Sequence, residues 1–453
     1  MRTLIISDLH LGNGGVYDAF AGREELPALL DHFTSPPTRV LVNGDGIDFL
    51  MNEDPLELDV ARAVAVAEGV VAAPATAGVL VAFGRILAAG GEVVLRLGNH
   101  DIELALPEVQ AVVRGALGQP AEVAARLHFE MGSAPQILEA GGARVLVTHG
   151  EQNDPWNKVD YTHLPGAPGS FEYAPGSRLV KQLLNPLTHV YGLRFANLLK
   201  PDFQGAVLTA LAVSPGATKL AFQKASVKIL WQLFRQMGAA ASFADEEEDL
   251  GLAGRIDEAG LSADERESLE AELSGSGLSF AGGDDEALGG AQLKLARAGL
   301  KLYAGLQRRL AGTASDAYFQ LEPAAEEWTE AQRLAKKFGA GAVVIGHTHA
   351  ARWRHDDGLV FANTGTWISL MSLPPFDAGD DAWAAFIAEL RQNPGLDPAK
   401  QKVARTFGRF TAVTVEERPG GGATLALVQW EPGTGLRELG SAVVPPASST
   451  SPA

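Results

Sequence analysis

Short apolar runs separated by helix-patterned stretches predict an α/β fold for this chain. Residues 2–7, 39–43, 93–97, 144–148 and 342–345 are runs of four to six residues, rich in Val, Ile and Leu and bounded by Gly or polar residues. That composition and length favour buried strands over helices. Between the first three runs, residues 24–33 and 76–89 carry helical spacing. Strand, helix and strand in that order imply a β/α architecture.

A third observation concerns where the runs end. Each leads into a motif: Asp8-Leu9-His10, Gly44-Asp45-Gly46-Ile47-Asp48, Gly98-Asn99-His100-Asp101, His149-Gly150 and Gly346-His347-Thr348-His349. Strand ends gather at one edge of a sheet, so residues distant in sequence can meet there. Four Asp, five His and one Asn at such an edge point to a carboxylate/imidazole metal site.

The remaining elements follow in order. Residues 1–155 and 324–440 read as one discontinuous core, with a helix over 324–338 ending at Gly339. Residues 359–363 read as a strand into the turn Thr364 to Trp367. Residues 410–416 and 423–430, separated by Arg418-Pro419-Gly420-Gly421-Gly422, read as a hairpin. Residues 441–453 are rich in Ser, Pro and Ala and are expected to be a disordered tail. Residues 156–323 form an insertion, opening with a Pro/Gly-rich loop and continuing through helix-patterned stretches at 179–184, 190–199, 217–237 and 292–310. A largely helical insertion that emerges beside a strand-end motif is placed to form a cap over the site.

Charge is unevenly distributed. The net charge is −18 over 453 residues. Residues 245–286 hold fifteen acidic side chains against Arg255 and Arg266, so the acidic segment at about 244–290 reads as solvated and flexible. Residues 177–240 hold eight basic side chains against Asp202 alone. Three readings fit that region: a solvated cap face, a peripheral contact with an anionic lipid surface, and nucleic-acid binding. The last is the least favoured, given the overall acidity. Arg178, in this region, is the candidate contact for a substrate phosphate. Cys is absent, which rules out disulfide partners and thiolate ligands. A secretory leader is not expected, because the first apolar run is spent on the strand into Asp8. The expected location is the cytoplasm, with peripheral contact at the inner membrane face as the alternative.

The spacing within the motifs suits a two-cation site. Asp8 and His10 are two apart, as are His347 and His349, so each pair can point to one side of an extended strand end. Asp45 follows a Gly that permits close backbone approach. Asn99 offers a neutral oxygen and His149 an imidazole. Two divalent cations there would bring a shared water towards neutral pKa and offset a phosphate's charge. His100, beside the cluster, suits protonation of a leaving oxygen, oriented by a carboxylate. His32, His128, His163, His189 and His355 have no motif context and read as structural or surface residues.

The set D-x-H, G-D-x-x-D, G-N-H-D, H-G and G-H-x-H, in this order, resembles the calcineurin-like metallophosphoesterase superfamily. The resemblance covers about the first 155 residues and about 340–367. It implies a dinuclear centre on a double β-sheet sandwich flanked by helices. By it, Asp8, His10 and His349 would bind one metal and Asn99, His149 and His347 the other, with Asp45 bridging. His100 would contact the phosphoryl group or act as general acid, with Asp48 and Asp101 in support. The Asn363-Thr364-Gly365 turn looks like that family's final strand end. Manganese is favoured, with iron, zinc or nickel as alternatives.

The opening Ile-Ser-Asp-Leu-His-Leu and the single-Thr Gly-His-Thr-His resemble the bacterial branch that includes UDP-2,3-diacylglucosamine hydrolases. His100 departs from the Arg of that branch, and the insertion is far longer. The function expected is hydrolysis of a phosphoester, with metal-activated water attacking phosphorus. A lipid pyrophosphate hydrolase at the membrane surface, and a nuclease or cyclic-nucleotide phosphodiesterase, are the alternatives. An inactive scaffold is least favoured, because every ligand position is filled.

Overall fold

The computed structural model describes residues 2–132, 134–164, 171–200, 213–214, 320–372, 374, 378–402 and 406–447. The five apolar runs form β1 (Arg2–Ile6), β2 (Thr38–Asn43), β3 (Glu92–Arg96), β6 (Ala143–Val147) and β8 (Ala342–Ile345). Around them lie β4 (Leu127–Glu130), β5 (Gln136–Ala140), β7 (Leu199–Lys200), β9 (Arg352–Asp356), β10 (Leu359–Asn363) and β11 (Leu370–Ser372). The last strands are β12 (Thr406–Phe407), β13 (Thr411–Glu417), β14 (Ala423–Glu431) and β15 (Gly435–Val444). The helices used below are α1 (Glu25–His32), α2 (Val60–Ala72), α3 (Pro74–Ala88), α4 (Pro107–Gly115), α5 (Ala121–Ala124), α6 (Pro175–Leu179), α7 (Asn185–His189), α8 (Ala325–Phe338) and α9 (Asp380–Gln392).

Two sheets make the sandwich. One has the order β15-β14-β13-β1-β2-β3-β4, and the other β5-β6-β8-β10-β9. Strands β1 to β4 are parallel, as are β6, β8 and β10, while β13 runs antiparallel to β1. The motif-bearing ends of each parallel set therefore share one edge.

Side-chain alternation assigns the faces. Ile5, Leu41, Val94, Val413 and Leu425 of the first sheet pack with Val145, Val147, Val344 and Val360 of the second. The intervening Leu146, Val343 and Phe361 face outward, onto Trp328, Ala331, Leu334 and Ala335 of α8. Helices α1 and α3 pack on each other and against the first sheet, at β14 and β3 respectively.

Helix ends follow local chemistry. Asp59 caps α2 by accepting the Arg62 N–H at 2.9 Å. Pro74 starts α3, where its missing N–H is harmless. Among the described residues no single helix is long and apolar enough to cross a membrane; α2 and α3 pass that test only as a pair bent by 86°.

The chain divides into two compact units, Met1–Lys181 with Phe319–Ser369 and Gly408–Ala453, and Gln182–Tyr318 with Leu370–Phe407. This differs from the sequence reading in three places. Residues 156–181, read as insertion, stay with the first unit, tied there by Tyr173 donating to Glu103 Oε1 at 2.6 Å and Lys181 donating to Asn52. Residues 370–407, read as core, belong to the second unit, because β11 pairs with β7 and β12 in a separate three-stranded sheet. The tail read as disordered from 441 begins inside β15, where Ala442 and Val444 face the sandwich core, and the Ala447 N–H still donates to Gly142 O at 2.8 Å. A period-two pattern was hidden there by Ser and Ala.

Within the second unit, Trp383, Phe386 and Leu390 form the buried face of α9. The stretch read as a helix over 190–199 is instead a 3-10 turn at Arg194–Asn197 followed by β7. The basic stretches 217–237 and 292–310 and the acidic segment 244–290 lie outside the described residues, so the expected cap does too.

A polar girder joins the two sheets at the motif edge. Arg96, on β3 and 2% exposed, donates to Asn43 Oδ1 at 2.8 Å, Val147 O at 3.3 Å and Ala134 O at 2.6 Å, and pairs with Glu130 at 3.0 Å. Asn43 Nδ2 crosses to Thr148 O at 2.8 Å. The sequence reading passed over both residues because neither belongs to a motif. Arg96→Ala would strand two buried acceptors, Asn43 Oδ1 and Val147 O, and its expected cost is about 2–4 kcal/mol. Urea unfolding of the variant against the parent protein measures it; a change under about 1 kcal/mol would show that the girder is dispensable.

Candidate metal centre

The loops after β1 and β2 continue to pair beyond their strands. The Asp8 N–H donates to Gly44 O at 3.1 Å, and the His10 N–H to Asp45 O at 3.0 Å. The Trp367 N–H donates to Asp8 O at 3.0 Å, and Asn363 Nδ2 to Gly346 O at 2.9 Å, so the final turn is bound to the same edge. The backbone is left-handed at Asp8 (φ 53), His10 (φ 48), Asp45 (φ 52), His347 (φ 66) and His349 (φ 60). Such values are uncommon outside glycine and mark sites where surrounding structure imposes the conformation. Two glycines make room. A Cβ on Gly44 would strike the His149 ring, and one on Gly98 would strike the Asp45 carboxylate.

The structure gathers the eight motif residues that were expected to act at the centre, together with Asp48 and Asp101 in support. Three groups have ligand atoms within 4.8 Å of one another: Asp8, His10 and His349; Asp45, His149 and His347; and His10, Asp48 and His100. The first two are groups that could each hold a metal ion. Asp45 Oδ2 lies 3.4 Å from His149 Nε2 and 4.0 Å from His10 Nε2, so it faces both groups. Its other oxygen accepts the His100 N–H at 2.9 Å.

Each candidate ligand has one polar atom held and another directed to the centre. His149 donates through Nδ1 to Asn43 O at 2.8 Å, leaving Nε2 buried without a hydrogen bond. His10 Nδ1 lies 2.9 Å from Asp48 Oδ2, and its Nε2 lies 3.1 Å from His349 Nε2. Asp8 Oδ2 accepts from the Ser7 hydroxyl and, at 3.0 Å, from the His347 N–H. Its Oδ1 is buried without a hydrogen bond, 3.3 Å from His349 Nε2. Asn99 donates through Nδ2 to Asn157 Oδ1 at 3.4 Å, and its Oδ1 is buried without a hydrogen bond. Buried polar atoms without partners are rare. Three of them in the motif cluster, on Asp, Asn and His, fit divalent cations with oxygen and imidazole ligands.

The electrostatics point the same way. Burial would push Asp45 up, but the imidazoles of His149, His100 and His10 hold it well below the usual carboxylate range. Asp8 is likewise held down to about 2 against burial by His349 and His149. Burial would lower His149, yet Asp45, Asp8 and Glu151 raise it to about 10. The cluster thus concentrates negative charge that any cation, proton or metal, would relieve. Metal binding releases those protons, since a ligating imidazole must be neutral.

The third group, with Asp48, is a hydrogen-bonded one. Asp48 Oδ2 sits 2.9 Å from His10 Nδ1 and 3.2 Å from His100 Nδ1, and orients both rings. The carboxylate expected to orient His100 is therefore Asp48. Asp101 instead accepts the N–H groups of Gly46 at 2.7 Å and Gly98 at 2.5 Å, pinning two motif loops together. Burial, then the nearby Asp45, raises it to about 8.

Arg178, the candidate phosphate contact, lies at the surface. Its guanidinium pairs at the surface with Glu172 at 2.7 Å, on side chains 48% and 83% exposed. Lys181 is the partly buried cation of that segment: it donates to Asn52 and feels the charges of Glu103, Asp54 and Asp48. The five histidines read as structural or surface, His32, His128, His163, His189 and His355, are all exposed.

The sequence reading missed Asp154 and Asn157. Asp154 Oδ2 lies 3.0 Å from His347 Nε2 and accepts from Asn157 Nδ2 at 2.6 Å. Asn157 in turn accepts from Asn99. One turn thereby holds two candidate ligands, His347 through Nε2 and Asn99 through Nδ2. Their place, five and eight residues after His149 on no strand, gave no periodic signal.

Residues 1–193 match the family model of calcineurin-like phosphoesterases. No curated protein matches the chain. The match supports a phosphoesterase hydrolase, and with the His/Asp groups it supports metal-dependent phosphoester hydrolysis. His347 and His349 lie far beyond the matched stretch; the second sheet brings them back to it.

Asp45→Ala and His149→Ala are expected to lose most bound metal, read by elemental analysis of the purified protein. Asp154→Ala should weaken occupancy of one of two sites by about 10- to 100-fold, read by metal titration, with the other site retained. Equal loss from both sites would count against its assignment to one half.

Proposed function

We propose that this chain hydrolyses a phosphoester at a dinuclear centre whose shared ligand is Asp45. In this reading Asp8, His10 and His349 would hold one cation, and Asn99, His149 and His347 the other. The observation that carries it is the position of Asp45 Oδ2 between His149 Nε2 and His10 Nε2, at 3.4 and 4.0 Å, beside the buried unpaired Asn99 oxygen. When bound, two divalent cations supply charge neutralisation at the phosphoryl group and a nucleophile at neutral pH. Oxygen and imidazole ligands suit manganese, iron, zinc and nickel; manganese is the favoured assignment.

The chain's own residues do the rest. His100 projects beside the cluster with its Nδ1 on Asp48, and its side chain is 17% exposed, so Nε2 can meet a leaving oxygen. We assign it the proton delivered to that oxygen. Asp48 fixes the ring for this transfer and fixes His10 at the same time. The cytoplasmic setting belongs to this reading, supported by the lack of cysteine.

A panel of phosphomonoesters and phosphodiesters, including cyclic nucleotides and a UDP-sugar lipid, tests the activity with manganese added. Hydrolysis should vanish on chelation and return with metal. Failure to bind metal at stoichiometry, together with no hydrolysis across the panel, would sink the proposal. His100→Ala should reduce turnover by about 10²- to 10⁴-fold while metal content holds. Loss of metal together with turnover would reassign His100 to the ligand set.

A further inference from the structure

A cavity of about 240 Å³ opens beside the cluster, with His10 and Asp48 in its lining. Much of its wall is α2, through Ala65, Val66, Gly69 and Val70, joined by Met51. These side chains are small or apolar, and Met51 can adapt its shape. Such a wall receives organic matter rather than ions.

Charge narrows the choice of occupant. Asp18 and Asp54 line the cavity, and among the described residues no Lys or Arg does. Asp18 is held as a carboxylate acceptor by the N–H groups of Gly14 and Phe20, each at 3.0 Å. Lys181 stands outside the lining, donating to the Asn52 side chain and backbone oxygen. An anionic group lodged here, beyond the scissile phosphate, would face Asp18, Asp48 and Asp54, while Lys181, which feels the charges of Asp54 and Asp48, is engaged by Asn52.

Size narrows it further. An apolar cavity of about 150 Å³ holds benzene, so this one takes a single group near the size of a substituted ring or a short acyl chain. Two long acyl chains, or successive nucleotides with their phosphates, do not fit that description.

We propose that this cavity receives the organic group esterified to the scissile phosphate, and that it selects a compact, uncharged, largely apolar group. The inference rests on phosphoester hydrolysis at the adjoining cluster. Gly69 sets the room available. A Cβ built there meets no atom within 4 Å, so a larger side chain can be introduced without a clash, and replacing a mid-helix glycine favours the helix.

The test uses the full chain loaded with manganese and calorimetric binding of inorganic phosphate, phenylphosphonate and para-carboxyphenylphosphonate. Phenylphosphonate is expected to bind at least about tenfold more tightly than phosphate through apolar burial, and the carboxylated analogue should lose that gain. In Gly69→Leu, with Ala65→Leu as a second variant, the ratio of phenylphosphonate to phosphate affinity should fall towards one while metal content and melting temperature hold. Unchanged ratios in both variants, or a charged analogue that binds as well as the phenyl compound, would overturn the cavity assignment. Absence of all phosphate and phosphonate binding, with no ester hydrolysed, would instead remove the phosphoester reading and this inference with it. Hydrolysis with unchanged ratios removes only the inference.

Discussion

Asp8, Asp45, Asp48 and Asp101 are buried in one strand-end cluster, at 0, 1, 6 and 0% exposure. Carboxylates that close together in a low-dielectric interior require compensation, by hydrogen bonds, by imidazolium or by metal. The four answer that constraint differently. Asp101 spends both oxygens on backbone N–H groups. Asp48 spends one on two imidazoles and the other on the N–H groups of Leu50 and Met51. Asp8 and Asp45 each hold one oxygen on a backbone N–H and present the other to the centre. Only the latter pair is left to satisfy a cation, and they belong to different halves of the ligand set or to both.

The sandwich exists in a form that tolerates this. Five candidate ligands sit in left-handed backbone, each at a cost of about 1–2 kcal/mol for a non-glycine residue. Their total is comparable with the net stability of a domain, about 5–15 kcal/mol. The conformation is sustained by the ladder-like loop bonds from Asp8 and His10 to the β2 loop, and by Arg96 and Asn43 joining the sheets just behind His149. A bound cation would add stability in the native state alone, offsetting strain where it arises.

Much of this was legible in the sequence, for a physical reason. A buried strand is a short run of branched apolar residues, and a ligand at its end must be polar; the contrast is visible at β1, β2, β3, β6 and β8. The motif residues needed only that placement to be gathered. What was not legible lacks periodicity or contrast. Arg96 ends a strand as an ordinary polar residue until its partners on the second sheet are known. Ala442 and Val444 alternate with small residues, so β15 read as tail. Asp154 and Asn157 act through a turn whose partners, His347 and Asn99, are distant in sequence. The surface pair of Arg178 with Glu172, six residues apart, likewise gives no periodic signal.

The two candidate halves of the proposed centre are supported unequally. Asp8, His10 and His349 are held by strand-end loops and by Asp48, all anchored in the sandwich. Asn99 and His347 depend in addition on the 154–157 turn. That turn is itself fixed by α6: the Gly176 N–H donates to Trp156 O at 2.7 Å, and a Cβ on Gly176 would strike Asn157. The start of α6 is therefore packed against residues that orient candidate ligands, while Lys181, two residues past the end of α6, is bonded to Asn52 at the rim of the cavity. A single short segment touches both the ligand geometry of one half and the wall of the proposed substrate cavity. Disturbing residues 171–181 should thus change metal retention and organic-group selectivity together, whereas disturbing α2 should change selectivity alone.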